Sequence, residues 1–439
     1  MKVNGIIAEY NPFHNGHKYH LEASLARTGA DYTIIAMSGN FMQRGTPAMI
    51  HKYARAEMAL RNGADLVLEI PSFYACASAE YYAHGAVSLL DQLGVVDCLC
   101  FGSESGDVAV LTQIAEILTN EPAAYGECLT TCLKQGHSYP TARSMALTAY
   151  LEKNCPSPNE HCCSSEEPVF SFRETADVFT TPNNILGIEY IKALFDRNST
   201  MKPVTLKRMG AQYHDQTLGS GYPSATAIRQ VIHTAQCIRH SDTTNDTLVT
   251  LSDQLPDSAL HILTNTCKTL QPIQMDDFSQ ILLYKLLCEK PYGYEKYLDM
   301  SSDLSDKILK NLFQFQSYSG FCDLLKSKDI TYTRLSRCLL HLLLDIKTED
   351  MEHYKSMDYV PYARVLGLRK DAAPLLLAIK EHGAIPLVTK LADAENILGN
   401  DALKMLKRDI QVSHIYNGVE AVKCDTAIRN EYRTPIVVI

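Results

Sequence analysis

The chain predicts a doubly wound α/β domain built on a parallel sheet and followed by a mainly helical C-terminal region. Three observations carry this. Short apolar runs alternate with helix-length segments over the first hundred residues. Those runs are apolar on both faces, as expected of strands covered by helices on either side. The alternation stops near residue 236, beyond which helical patterns dominate.

In order, residues 3–8 read as a strand and 18–27 as a helix. Residues 32–37 are a strand and 50–62 a helix; 66–70 a strand, 80–93 a helix, and 95–101 a strand. Residues 107–153 read as three helices, broken near Pro122 and Gly136. The stretch 154–181 is rich in Pro, Ser, Asn and Glu with little periodicity and reads as a loop insertion. A helix over 185–195 and a strand over 203–207 follow. A helix over 226–235 comes next, with Ser224 at its N-cap. Residues 278–287, 304–315, 333–346 and 372–382 carry helical patterns, and 385–388 reads as a short strand. The expected division is a nucleotide-binding domain over 1–235 and a helical domain over 236–439.

At 439 residues the chain exceeds one ordinary core. Its 46% hydrophobic and 21% charged residues are those of a soluble globular protein. No apolar run approaches the ~20 residues of a membrane span. The N-terminus opens into a strand without an export signal, so the expected location is cytoplasmic. The 14 cysteines are scattered, and neither Cys128-x-x-x-Cys132 nor Cys162-Cys163 has the paired spacing of a zinc site. No metal-ligating residue is predicted. The net charge of −9 opposes bulk attraction to nucleic acid, so an RNA partner needs a local basic patch.

The densest chemistry lies in Ile7-Ala8-Glu9-Tyr10-Asn11-Pro12-Phe13-His14-Asn15-Gly16-His17. H-x-G-H there falls where the first strand hands over to the first helix. Phosphates bind such turns because backbone N–H groups and the helix dipole face the anion. Gly16 permits close approach of the backbone. His14 and His17 are candidate catalytic donors to phosphate oxygens as charge develops on them.

This pattern resembles the HIGH-type nucleotidyltransferases. Further segments narrow the match: Ser38-Gly39-Asn40-Phe41-Met42-Gln43-Arg44-Gly45, Gly63-Ala64-Asp65, Phe101-Gly102-Ser103-Glu104, Pro182-Asn183-Asn184, Lys207-Arg208, Ser224-Ala225-Thr226-Ala227-Ile228-Arg229 and Tyr362-Ala363-Arg364-Val365-Leu366-Gly367. Together they resemble the bacterial tRNA(Met) cytidine acetate ligase family. The resemblance implies ATP-dependent activation of acetate and transfer of the acetyl group to the wobble cytidine of elongator tRNA(Met). Magnesium would accompany the triphosphate through phosphate oxygens and water. It implies no DNA or membrane partner.

It also implies ATP contacts at Ile7, Ala8, Glu9, Tyr10, Asn11, Phe13, His14, Gly16, His17, His20, Gly102, Asn183, Asn184, Lys207, Arg208, Ser224 and Thr226. Ser38, Asn40, Gln43 and Arg44 fall on the ligand side of the sheet as candidate substrate contacts. Arg334 and Arg337 share a helix face. With Arg364, and beside Arg369, Lys370, Tyr359 and Tyr362, they are candidate RNA contacts. Plain structural readings stand beside these: caps at Ser224, Asn183 and Asn184, a turn at Gly102, and solvated arginines at Arg44, Arg208, Arg334 and Arg337. A pantothenate-synthetase-like enzyme adenylating a small molecule without RNA is the alternative activity. A non-catalytic nucleotide- or RNA-binding module is the other.

Overall fold

A computed structural model describes residues 1–137, 139–154, 178, 181–208, 224–237, 251–328 and 330–439. The predicted loop insertion over 154–181 therefore lies almost entirely outside the described residues. The strands are β1 (Val3–Ala8), β2 (Tyr32–Ser38), β3 (Leu66–Ile70), β4 (Cys98–Ser103), β5 (Lys202–Lys207), β6 (Ala363–Leu368), β7 (Leu387–Val388) and β8 (Val437–Val438). Two compact units form: residues 1–100 together with 209–439, and residues 101–208. This division cuts the chain elsewhere than at residue 235.

In the larger unit β1 lies between β2 and the first half of β4, parallel to both, and β2 runs parallel to β3. The interior strands are mostly apolar, and Ile34, Ile35, Ala36 and Met37 are fully buried. That is the signature of a sheet covered on both faces. The flanking helices are α1 (Asn15–Thr28), α2 (Lys52–Arg61), the short α3 (Ser72–Ala75) and α4 (Ala79–Asp91). Caps set their starts. His14, His51 and Ser78 accept from Gly16 N, Ala54 N and Tyr81 N respectively. The first helix thus begins three residues earlier than its apolar pattern indicates. The strand expected from residue 95 begins at Cys98, because Asp97 binds the Val3 backbone through its own N–H and carboxylate.

The sheet departs from parallel pairing at one junction. The C-terminal half adds β6, antiparallel to β3, with β7 and β8 parallel to β6. A buried charge cluster joins the two contributions. Lys52 Nζ contacts Glu69 at 2.8 Å and Glu431 at 3.0 Å; Arg364 contacts Glu69 at 3.0 Å and Glu431 at 2.5 Å. Gly39 has no room for a Cβ, which would stand 2.4 Å from Glu69 Oε1.

The smaller unit holds α5 (Val108–Asn120), α6 (Ala123–Lys134), α7 (Tyr139–Asn154) and α8 (Pro182–Asp196), with β5 beside the second half of β4. Gly187 lets α8 pack against Phe101, since a Cβ there would meet the ring at 2.6 Å.

The helices of the larger unit after residue 208 are α9 (Ala225–Cys237), α10 (Asp257–Thr269), α11 (Ser279–Glu289), α12 (Ser302–Asn311), α13 (Tyr318–Leu325), α14 (Tyr332–Leu344), α15 (Thr348–Ser356), α16 (Ala373–His382), α17 (Ala394–Ile397) and α18 (Asn400–Cys424). The helix expected over 304–315 ends at Asn311 in a 3-10 turn. The strand expected over 385–388 keeps only Leu387 and Val388. Among the described residues no helix is long and apolar enough to cross a membrane.

Candidate nucleotide-binding site

The two histidines close the start of α1 on themselves. Gly16 N–H donates to His14 Nδ1 at 3.1 Å, and His14 N–H donates to His17 Nδ1 at 3.3 Å. This is a capping box made of two imidazoles. Each Nδ1 is an acceptor, so the proton of each neutral ring sits on Nε2. The rings stack with centroids 3.7 Å apart. Tyr10 packs edge-on against His17 at 4.8 Å and, with Phe13, is buried. These two aromatics support the imidazoles from within the core.

The backbone donors expected to face a phosphate are already engaged. Asn15 N–H donates to Gln254 O at 3.0 Å, Gly16 N–H to the His14 ring, and His17 N–H to His14 O at 2.8 Å. Ile7 and Ala8 are the last residues of β1. His20 lies a turn along α1, with Nε2 3.9 Å from Cys100 Sγ.

Other parts of the larger unit converge on the same turn. Arg229 on α9 donates to Asn11 O at 2.7 Å and to Thr226 Oγ1 at 3.0 Å. Ser224 is buried and caps α9 through Ala227 N–H. Asn11 Oδ1 accepts from Met49 N–H at 2.8 Å. A cleft beside Thr226 and Arg229 is completed by Gln230, His233, Thr234 and Gln274. Burial draws His233 down to about 4, with the Lys423 and Arg229 charges adding to it.

Glu9 follows β1 directly and accepts from Gln43 N–H at 2.7 Å. Burial raises its carboxyl above the usual range, against the Gln43 bond and the charges of Arg229, Arg55 and Arg44. Arg55 escaped the sequence reading. Fully buried, its guanidinium donates to Glu9 O at 2.6 Å, Ser38 O at 3.1 Å, Ile50 O at 3.2 Å and Gly39 O. It gathers the carbonyls past the ends of β1 and β2, and burial lowers it to about 10. An arginine in a helical pattern is normally exposed, so no sequence signal marks it.

In the smaller unit, Asn184 Oδ1 accepts from Glu104 and Ser105 N–H at 3.0 and 3.1 Å. Glu104 in turn accepts from Asn183 Nδ2 at 2.6 Å and Asn184 N–H at 2.9 Å. Both asparagines thus pin the 104–105 turn to the start of α8. Gly102 faces the Arg208 side chain, and Gly106 lies against Lys207.

The candidate substrate contacts divide. Ser38 is buried 3.5 Å from the Tyr82 hydroxyl, and buried Asn40 accepts from Lys52 N–H. Both support the sheet rather than face an open site. Gln43 and Arg44 are partly exposed. Of the RNA candidates, Arg334 and Lys370 are exposed. Arg337, though it follows at helical spacing, turns toward Asp299, 3.9 Å away, and burial lowers it. Arg364 is a correction: at 2% exposure it belongs to the cluster with Glu69 and Glu431 and cannot reach an RNA backbone. Tyr362 is likewise buried. The strand β6 carries Arg364 inward, because a sheet strand covered on both faces has no solvent side, and Tyr362 just before it is held inward by Asp409.

A parallel sheet whose first strand meets its first helix through a histidine capping box defines a nucleotidyl transferase of the HIGH class, and the model of the family HIGH Nucleotidyl Transferase matches residues 1–431. The chain belongs to that family and, within it, to the tRNA(Met) cytidine acetate ligases. It is 39% identical to the tRNA(Met) cytidine acetate ligase of Thermoanaerobacter sp. over 95% of each chain. It is 36% identical to that of Halothermothrix orenii over 100% of this chain and 99% of the other. The crystal structure of Thermotoga maritima TmcAL bound with alpha-thio ATP matches with a TM-score of 0.87 at 31% identity, covering all of both chains.

Proposed function

We propose that this chain is an ATP-dependent tRNA(Met) cytidine acetate ligase whose adenylation chemistry runs at the H-x-G-H turn. The observation that carries the site is the pair of stacked imidazoles whose Nδ1 atoms are both held as acceptors. Their ring protons then stand on Nε2, as donors to the equatorial oxygens of the α-phosphate. Acetate oxygen attacks the α-phosphorus and pyrophosphate leaves, giving acetyl-adenylate. The N4 amine of the wobble cytidine then attacks the acetyl carbon. AMP departs with the acyl–oxygen electron pair, the amine gives up a proton, and N4-acetylcytidine remains. Acetate needs this activation because its own oxygen is too poor a leaving group for an amine to displace.

Protein enters mainly through positioning. Arg229 ties Asn11 to Thr226 and so holds the H-x-G-H turn against the start of α9. Gln43 and Arg44 stand beside Glu9 and are assigned to the acetate or phosphate. Gly102, Asn183, Asn184, Lys207 and Arg208 remain proposed ATP contacts on the strength of the family motifs they match. Magnesium is proposed to enter with the triphosphate and to neutralise it. Among the described residues no group of three His, Cys, Asp or Glu is gathered for a metal, and no protein ligand is assigned.

Acetate-dependent exchange of pyrophosphate into ATP, followed by transfer of labelled acetyl to tRNA(Met), tests the reading. Exchange that requires acetate, with transfer to the tRNA, supports it. Exchange with another carboxylic acid and no acylated RNA would replace it with a small-molecule adenylating enzyme.

A further inference from the structure

The basic residues beside aromatics that marked an RNA surface in the sequence are partly buried, yet another such group stands in the open. Tyr292 and Phe313 are each 80% exposed and Tyr284 70%, the most exposed aromatics among the described residues. They lie on α11 and on the 3-10 turns Lys290–Tyr292 and Leu312–Gln314. Lys290 Nζ sits 4.6 Å from the centre of the Phe313 ring, and Lys296 Nζ 5.6 Å from that of Tyr292. Glu289 links the parts, contacting Lys296 at 2.6 Å and Lys285 at 2.9 Å. Lys290, and Lys310 three residues before Phe313 in the chain, have no carboxylate partner among the described residues.

We propose that Tyr284, Tyr292 and Phe313, with Lys290, Lys296 and Lys310, form a stacking platform for unpaired bases of the tRNA substrate. This rests on the ligase reading above. An open aromatic face accepts any base, whereas neighbouring ammonium groups meet the flanking phosphates. On a chain of net charge −9, RNA affinity has to come from a local arrangement of this kind. Burial elsewhere would dispose of such rings at no cost to the fold, since about 25 cal/mol is gained per Å² of apolar surface removed from water. Their exposure on helical turns, with a cation beside two of the rings, fits single-stranded RNA.

The test uses the full chain. Tyr292→Ala and Phe313→Ala are combined in one variant and Lys290→Gln made separately. Binding is measured with an unmodified tRNA(Met) transcript and a short single-stranded oligoribonucleotide. We expect the double variant to bind both about ten-fold or more weakly per ring lost. Lys290→Gln should lower the salt dependence by about one counterion. Acetate-dependent pyrophosphate exchange, which needs no RNA, should stay at the parent level, as should the melting temperature. Tyr292→Phe with Phe313→Tyr should restore binding, because a ring rather than a hydroxyl is required. Unchanged tRNA affinity in the double alanine variant overturns the platform. If the parent chain self-associates and that variant does not, with RNA binding intact, the patch is instead an interface between copies. A parent chain that binds no tRNA at all overturns the ligase reading itself.

Discussion

Two nitrogen atoms underlie the role proposed for the H-x-G-H turn. Because His17 Nδ1 accepts from the His14 backbone, the ring is held in one orientation with the proton of its neutral form on Nε2. Replacing His17 by Ala should therefore cut acetate-dependent pyrophosphate exchange by about 100-fold or more, the scale of losing one preorganised donor. Loss of half the capping box should cost only about 1 kcal/mol of stability. Near-parent exchange in that variant would remove the histidine from the chemistry. Asp409 offers a test of a different kind. Burial pushes its carboxyl up to about 6, and the Glu69 charge adds to this, against bonds from Ser72 and Tyr362. The folded state thus holds that proton more tightly than the unfolded chain. The penalty accrues as pH rises from about 4, where the unfolded chain ionises, and is complete once pH has passed about 6. Asp409→Asn should flatten the dependence of melting temperature on pH across that window; an unchanged profile would place the titration elsewhere.

At the scale of elements, α14 shows how spacing and environment part company. Arg334 and Arg337 lie three apart, as the shared-face argument requires, but α14 packs its backbone on the loop after β2. Ser336 Oγ donates to Gly45 O at 2.7 Å, and a Cβ on Gly45 would stand 2.5 Å from Arg337 N. This contact pulls Arg337 inward, toward Asp299. The pair should therefore respond differently to reversal. Arg334→Glu should leave the melting temperature within about 0.5 kcal/mol of the parent's stability. Arg337→Glu should destabilise by several kcal/mol, because it sets a half-buried carboxylate against Asp299. Equal, small thermal effects would contradict the inward placement. The helices legible in sequence were those with strong apolar periodicity, such as α2 and α14. Polar α18, from Asn400 to Cys424, was not legible, because Asp409, Asn417 and Glu420 are buried on it through specific partners. β6 was missed for a related reason: as a short apolar run after a helical stretch, it cannot be told from a buried helix by period alone.

For the whole molecule, the junction between chain halves matters most. Adenylation and RNA recognition looked separable at residue 235, yet β6, β7, β8 and α18 belong with residues 1–100. A fragment ending at 235 leaves β3 unpaired on one side and Lys52 and Glu69 without Arg364 and Glu431. It should fail to fold, seen as absent cooperative melting, and support no pyrophosphate exchange. Arg364→Ala in the full chain should cost about 3–5 kcal/mol, since two buried carboxylates lose a partner. A soluble, active 1–235 fragment would contradict both statements.

By itself, the sequence determined the parallel core of β1 to β4, the H-x-G-H turn behind β1 and the cap at Ser224. Each of these rests on neighbours a few residues apart: alternation of apolar runs, a strand handing over to a helix, a hydroxyl before a helical pattern. Only the tertiary structure decided that Arg55 collects the carbonyls of Glu9 and Gly39, that Arg364 is a buried ion rather than an RNA contact, and that Gln254 occupies an N–H expected to meet phosphate. It also decided that the exposed rings lie at Tyr292 and Phe313. The physical reason is that a charge or ring has no fixed environment in the chain. Whether it faces water or an ion pair is set by residues such as Glu69 and Glu431, hundreds of positions apart, which meet only when β6 joins β3 in one sheet.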